Sequence, residues 1–303
     1  MFPIIPANTA TASFPENDEG IFGFGYETGS VPYGSTINLV SNAGVVAADV
    51  AGVGTGRYGP AACEYGEDTG IFGYGYNGAK ISTTNLVSNT GVVATDTTGV
   101  GTARQDMAAC SFGTDKGIFG FGNDGSVQSM TNLVSNVGVV ATDTAGVGTA
   151  RKFLAACEFG GDKGIFGYGL TNTYVSMTNL VSNSGVVASD TAGVGTNKRQ
   201  LAACSFGGDE GIFGFGYTGS YVATTNLVSN SGVVGADVAG VGTVRNYLMA
   251  CEYGGDKGIF GFGHPASGTV NITNLVSDTG VVASDQAATT GTTRQEGAAC
   301  SFN

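Results

Sequence analysis

The phrase Gly-Ile-Phe-Gly-(Phe/Tyr)-Gly occurs six times in this chain and constrains its fold more than any other feature. Asn-Leu-Val-Ser-(Asn/Asp) follows every copy, and a cysteine comes near the end of every unit. A fixed period of this length indicates a solenoid, a propeller or an array of like units. The copies begin at Gly20, Gly70, Gly117, Gly164, Gly211 and Gly258, so the interval is 50 residues once and 47 residues thereafter.

Each unit predicts four short β-strands. In one unit, Leu154–Phe159 is an apolar run that ends in a glycine-rich turn, and residues 165–168 follow as a second strand. Thr178–Val181 and Val186–Asp190 are the third and fourth strands, joined by a turn in which Gly185 suits a positive φ. No stretch has the apolar spacing of an amphipathic helix. Four antiparallel strands in each of six units are typical of a β-propeller.

We therefore predict an all-β chain that forms a single six-bladed β-propeller of four-stranded antiparallel blades, with about 47 residues per repeat. An open β-solenoid or a trimeric fibre of the same period is the alternative. The glycines would let backbones approach closely, and the Ile and Phe side chains would then pack between blades. One domain, residues 1–303, contains an N-terminal segment (1–19) and the repeats 20–66, 70–113, 117–160, 164–207, 211–254 and 258–303.

Two copies of the cysteine-bearing strand compete for one position beside the first repeat. Ala10–Phe14 is a degenerate copy near the N-terminus, and Ala298–Phe302 is a copy at the C-terminal end. The second has Arg294 before it and contains Cys300, as the internal units do. We therefore predict that the C-terminal copy closes the ring.

The charge balance excludes some classes of partner. Lys and Arg number 12 against 24 Asp and Glu, which gives a net charge of −12. Nucleic acids and anionic membranes attract cationic surfaces, so neither is expected as a partner. No apolar run is long enough for a membrane span, and the first residues lack the basic region of a signal peptide. We expect other proteins or surface glycans as partners, multimeric assembly as an option, and a virion or extracellular location.

The chain offers little for catalysis or for metal binding. Each cysteine has the same place in a different repeat, which predicts six buried free thiols rather than disulfides. There is no Cys-x-x-Cys, and His264 is the single histidine, so we expect no metal site and no cofactor. The same scarcity leaves no Ser-His-Asp set, and no phosphate-binding Gly-Lys-Ser/Thr occurs. We therefore expect no catalytic residues and a protein that is not an enzyme.

An aspartate precedes an arginine by eight or nine positions in every unit. A carboxylate and a guanidinium that recur together predict a charge-assisted pair at the connection between blades. The alternative is a polar ring that lines one mouth of the channel and is open to a ligand. The pairs of this predicted structural ring are Asp49 with Arg57, Asp96 with Arg104, Asp143 with Arg151, Asp190 with Arg199, Asp237 with Arg245, and Asp285 with Arg294.

The repeats differ from one another in two loops, one after the second strand and one after the arginine. Loops on a rigid scaffold commonly carry binding residues. Tyrosine beside Asn, Ser and Gly suits recognition of a glycan or a protein, because it offers a flat ring and hydrogen bonds. Drift at unconstrained loops is the alternative explanation. The candidate ligand-binding residues are Tyr26, Tyr33, Tyr76, Tyr174, Tyr217, Tyr221 and Tyr247.

The segment Arg151–Gly169 resembles a kelch repeat. An arginine precedes a strand of small residues, a turn follows, and an aromatic-rich strand ends in glycine. The resemblance extends over residues 10–303, although tryptophan is absent and Gly-aromatic-Gly replaces the kelch double glycine. It implies a propeller. An oxidase of the galactose-oxidase kind, which shares the kelch-like fold, is disfavoured because its copper site needs several histidines.

The amino-acid sequence of the repeat also resembles arrays in tail and fibre proteins of marine bacteriophages. The matching phrases are residues 85–93 and 144–151. This resemblance implies a structural component of a virion, a phage tail or fibre part, involved in assembly or host-surface recognition. The alternative function is a free lectin-like or protein-binding propeller, similar in architecture to the five-bladed tachylectins.

Overall fold

The computed structural model describes residues 19–27, 32–286 and 291–302 of the chain. These residues form nineteen β-strands and no helix. The strands are β1 (Glu19–Glu27), β2 (Gly34–Val40), β3 (Ala61–Tyr65), β4 (Thr69–Tyr76), β5 (Lys80–Val87), β6 (Ala108–Phe112), β7 (Lys116–Gly120), β8 (Thr131–Val134), β9 (Ala155–Phe159), β10 (Lys163–Leu170), β11 (Tyr174–Val181), β12 (Ala202–Phe206), β13 (Glu210–Tyr217), β14 (Tyr221–Val228), β15 (Met249–Tyr253), β16 (Lys257–Gly261), β17 (Thr273–Val276), β18 (Arg294–Gln295) and β19 (Ala298–Phe302).

The strands form small antiparallel sheets in tandem. In the sheet of β9, β10 and β11, the middle strand pairs with both neighbours. Four further sheets have the same plan: β3-β4-β5, β6-β7-β8, β12-β13-β14 and β15-β16-β17. The remaining sheet joins both ends of the chain, because β1 pairs with β2, β18 and β19. The predicted all-β class is therefore confirmed, with sheets arranged as in propeller-like folds.

A short bridging segment follows the third strand of every sheet. In the β9-β10-β11 sheet, Val187 bridges to Val181 and Thr191 bridges to Thr178. The predicted fourth strand is thus a pair of isolated bridges rather than a continuous ladder. The intervening turn requires glycine, since Gly185 has a φ of +77° and a Cβ there would stand 2.8 Å from the Phe112 ring.

The sheets are offset by one strand from the repeat ranges read in the sequence. β9 comes from the repeat 117–160, whereas β10 and β11 come from the repeat 164–207. For the same reason, the last strand of the chain must pair with the first. Cys300 of β19 lies opposite Ile21 of β1, which confirms that the C-terminal copy takes this position. The degenerate copy Ala10–Phe14 lies outside the described residues.

The cysteine-bearing strands contact one another in a closed cycle. β3, β6, β9, β12, β15 and β19 follow in order, and β19 contacts β3. All six cysteines are buried and unpaired, as predicted. The sheets approach so closely that a Cβ on Gly164 would stand 2.5 Å from Cys110 Sγ of the preceding sheet. Phe166 packs edge-on against Phe121 of that sheet at 5.1 Å, which confirms the predicted aromatic contacts between sheets.

Candidate functional site

A closed ring of backbone hydrogen bonds lies where the chain enters each cysteine strand. The N–H of Phe153 donates to the Asp106 carbonyl at 2.9 Å, and that of Gly59 donates to the Glu296 carbonyl at 2.7 Å, which closes the circle. Every member has a left-handed φ between 54° and 63°. The ring brings together six positions at which the repeats differ. These residues, the axial ring, are Gly59, Asp106, Phe153, Gln200, Tyr247 and Glu296.

Backbone bridges bring the two variable loops of each sheet to the same end of the molecule. Tyr58, which directly precedes the axial ring, bridges to Tyr76 at the end of β4, and Arg199 bridges to Tyr217 in the same way. The axial ring, the residues directly before it and the loops after the second strands together form the mouth face. Residues from all six sheets therefore meet on one surface.

Three of the predicted tyrosines surround Tyr58 on the mouth face. The Tyr58 ring lies 5.2 Å from Tyr76, 5.9 Å from Tyr33 and 6.3 Å from Tyr26. All four side chains are partly exposed. The sequence marked Tyr58 as a variable position after the arginine, but it did not include this residue among the candidate ligand-binding tyrosines. No other repeat has a tyrosine at this position.

Three of the other predicted tyrosines form a second aromatic cluster. Tyr217 lies 6.1 Å from Tyr174 and 5.3 Å from Tyr221, measured between ring centroids. Tyr247 belongs to the axial ring and packs edge-on against Phe153 at 5.8 Å. Together with the cluster around Tyr58, this arrangement places all seven candidate tyrosines on the mouth face.

The assignment of Arg199 to the structural ring is wrong. Lys198 takes that buried position, where its Nζ donates to Asn226 Oδ1 at 2.7 Å. Arg199 instead lies between aromatic rings on the mouth face, with its guanidinium carbon 5.2 Å from the Tyr174 ring and 5.5 Å from the Tyr217 ring. The assignment was wrong because it looked for an arginine in every unit. In every unit a threonine stands two residues before the buried basic residue, and this spacing would have identified Lys198.

The predicted Asp–Arg pairs are wrong in register. Arg151 does not pair with Asp143, eight residues before it; its Nη1 lies 3.8 Å from Oδ1 of Asp190, on the bridging segment of its own sheet. Likewise Arg104 lies 3.6 Å from Asp143. The residues between Asp143 and Arg151 cross from one sheet to the next, so the two side chains separate. Contact between sheets comes instead from the arginine stacking 4.2 Å over Phe121 of the preceding sheet.

The aspartates of this ring fasten the loop that enters each sheet. Asp190 accepts hydrogen bonds from the backbone N–H of Thr149 at 3.0 Å, from its hydroxyl at 2.6 Å, and from Asn179 Nδ2 at 2.9 Å. Burial raises the pKa of Asp190, but these hydrogen bonds outweigh it and leave the pKa below its usual value. Asp49 does the same for Thr292, across the junction of the two chain ends. These aspartates therefore hold the entering loop against its sheet.

We expect Lys198→Arg to stabilise the protein. Three of the arginines at this position, Arg104, Arg151 and Arg245, donate from Nε to the carbonyl of the aromatic residue 17 positions later, as Arg151 does to Tyr168 at 2.9 Å. Lys198 makes no such bond, and each added hydrogen bond is worth about 1 kcal/mol. Urea unfolding should therefore give a gain of about 1–2 kcal/mol, whereas the surface change Lys152→Arg should stay within about 0.5 kcal/mol.

This gain should shrink at alkaline pH. Burial lowers the pKa of Lys198 to about 8. Because the folded-state pKa lies below that of the unfolded chain, the cost of burying the charged lysine is present at low pH and disappears as the pH rises above about 8. In this pH range the native protein therefore becomes more stable, and its difference in stability from the Lys198→Arg variant becomes smaller. An advantage of the arginine variant that grew with pH would contradict this account.

A cavity of about 300 Å³ opens on the mouth face beside two carboxyl groups. Asp106 is only 7% exposed, and burial raises its pKa to about 6. Burial, together with the nearby Asp106, raises the pKa of Glu296 to about 8. The sequence marked both positions as variable but did not identify them as site residues. Each follows the structural arginine by two residues, and only the closed axial ring shows that the two carboxyl groups lie near each other.

A second cavity, lined by the cysteine strands, also has acidic side chains but little space. Glu64, Glu158 and Glu252 alternate with three serines around a cavity of about 60 Å³. Burial raises the pKa of Glu158 to about 7 and that of Glu252 to about 8. This volume suits water and not a ligand of ordinary size, whose sites begin at about 300 Å³. The mouth face is therefore the candidate site.

No protein-family model matches the chain, and no curated protein matches it. Within the described residues, no group of three or more His, Cys, Asp or Glu side chains could hold a metal ion. The same part of the chain contains no helix long and apolar enough to cross a membrane.

Proposed function

We propose that the protein is a six-bladed β-propeller with four antiparallel strands in each blade. The closed cycle of cysteine strands and the closed ring of axial hydrogen bonds support this architecture. The bridging segment that follows β11, like its counterparts, would be the fourth and outermost strand. In such a propeller the axial ring surrounds one mouth of the central channel.

On this scaffold we propose a non-enzymatic protein that recognises surface glycans through the mouth face. The observation that carries the proposal is the meeting of seven predicted tyrosines with polar and charged side chains on one surface. Aromatic rings stack on the apolar faces of sugars, while amide, hydroxyl and carboxyl groups hydrogen-bond their hydroxyls. The resemblance to phage tail and fibre arrays supports host-surface recognition by a virion. A free lectin-like propeller would use the same face.

A glycan array, probed with the purified chain with and without calcium, tests this function. We expect binding to a restricted set of saccharides. Tyr217→Ala should weaken it about tenfold, which corresponds to about 1.4 kcal/mol, because it removes the centre of the second aromatic cluster. Val233→Ala is the control, since Val233 is 65% exposed in the turn after β14, at the opposite end of the sheet.

A blank array from folded protein would overturn glycan recognition. Equal losses from Tyr217→Ala and Val233→Ala would also contradict the proposal, because the control residue lies away from the mouth face.

A further inference from the structure

Two pairs of aromatic rings line the cavity on the mouth face. The rings of Tyr26 and Tyr58 lie 6.3 Å apart, and those of Phe153 and Tyr247 lie 5.8 Å apart. The volume of about 300 Å³ is at the lower end of small-ligand sites, enough for one sugar ring. The cavity therefore suits a compact group in contact with aromatic rings.

Two carboxyl groups line the same cavity. Asp106 and Glu296 are the neighbours of Gly59 in the axial ring, so no side chain separates them. Gln105 Nε2 donates to Asp106 Oδ2 at 3.1 Å, but no described residue donates to Oδ1. Burial and Asp106 raise the pKa of Glu296 to about 8 and outweigh the nearby Tyr247 side chain, which lowers that pKa. None of the ion pairs among the described residues involves either carboxyl group.

Gln295, which lines the same cavity, has a buried acceptor without a donor. Oε1 of Gln295 is inaccessible to solvent and receives no hydrogen bond within the described part of the chain. Buried acceptors are normally paired, and an unpaired one costs about 1–3 kcal/mol. The cavity thus combines a buried acceptor that lacks a donor, two carboxyl groups outside the ion pairs of the described residues, and aromatic rings. Lys152 and Lys80 act on Asp106 from nearby, but neither lysine lines the cavity.

We propose that this cavity binds a protonated primary amine carried by an amino sugar. The ammonium group would donate to Asp106 and Glu296, while the ring faces of Tyr58 and Tyr247 attract its positive charge. The inference rests on the proposed glycan recognition and names the kind of sugar. The net charge of −12 favours approach of a cation over that of an acidic saccharide.

Titration calorimetry with two matched probes tests the inference. The trimer of glucosamine and the trimer of N-acetylglucosamine share one backbone and differ in the amine, which acetylation makes neutral. We expect the glucosamine trimer to bind at least about tenfold more tightly. Asp106→Asn and Glu296→Gln should each reduce its affinity about tenfold. Asp278→Asn, an equal charge change at an exposed turn away from the mouth face, should leave it unchanged.

The carboxyl variants should remain folded. Burial raises the pKa of both groups, so their neutral amide replacements place no greater demand on the fold. Thermal melting beside the calorimetry checks this, and a variant that melts like the native chain but loses the probe supports the site.

Two results would overturn the inference while leaving glycan recognition in place. One is equal affinity for the acetylated and the free trimer. The other is a glycan-array signal for other sugars with no binding of the glucosamine trimer. Failure of the proposed function looks different, because the array would then be blank for every saccharide.

Discussion

A chain that ends at Gly297 should lose cooperative folding. The deletion removes β19, which pairs with β1 over five residues and also contacts β3 and β15. Phe302 is completely buried, and loss of such a side chain alone costs about 3–5 kcal/mol. Cys300 is buried as well, and the deletion leaves β1 without a strand partner on that side. The free energy of unfolding of a domain is about 5–15 kcal/mol in all. The combined loss of Phe302, Cys300 and the pairing with β1 therefore exceeds the stability that the remaining residues provide.

Urea unfolding followed by circular dichroism measures this effect. We expect a broad or absent transition for the chain 1–297. A chain that lacks residues 1–14 is the control, and it should unfold at the same urea concentration as the native protein because β19 occupies the position beside β1. If 1–297 kept a sharp transition that vanished only on further removal of residues 1–14, the prediction would be wrong, and Ala10–Phe14 would be able to replace the missing strand.

The sequence predicted what depends on local pattern and on symmetry. Strand positions, the turn at Gly185 and the burial of the cysteines follow from residue types repeated six times. Closure by Ala298–Phe302 also followed, because that copy has the arginine and cysteine of the internal units. These features need no knowledge of which sheet contacts which.

What the sequence could not predict depends on distances across the chain. Asp143 is close to Arg151 along the chain, yet the connection between them crosses from one sheet to the next, and the real partner is Asp190. Asp106 and Glu296 are 190 residues apart in number and become neighbours only through the closed axial ring. The candidate tyrosines were found because variability marks loops, but their grouping around Tyr58 required the fold.

Arg151→Met should destabilise the protein by about 3–5 kcal/mol, because hydrogen bonds from a charged donor contribute about 1.5–3 kcal/mol each and buried acceptors would be left unpaired. The side chain is fully buried, and it donates to the Tyr168 carbonyl at 2.9 Å, the Thr149 carbonyl at 3.1 Å and Asn179 Oδ1 at 2.6 Å. Methionine has a similar length but no donor, so three acceptors lose their partner at once. Stacking over the Phe121 ring of the preceding sheet is lost as well.

Arg199→Met is the matched control, since it makes the same chemical change at an arginine outside the structural ring. Its guanidinium contacts the rings of Tyr174 and Tyr217 and forms none of the ion pairs among the described residues. We expect a cost below about 1 kcal/mol, as for other partly exposed cation–π contacts. Urea unfolding of both variants measures the difference. If Arg199→Met were as destabilising as Arg151→Met, the ring would contain Arg199 after all. A large cost at Arg151 alone instead leaves Arg199 free to act on the mouth face, where glycan binding by the same variant can be measured on folded protein.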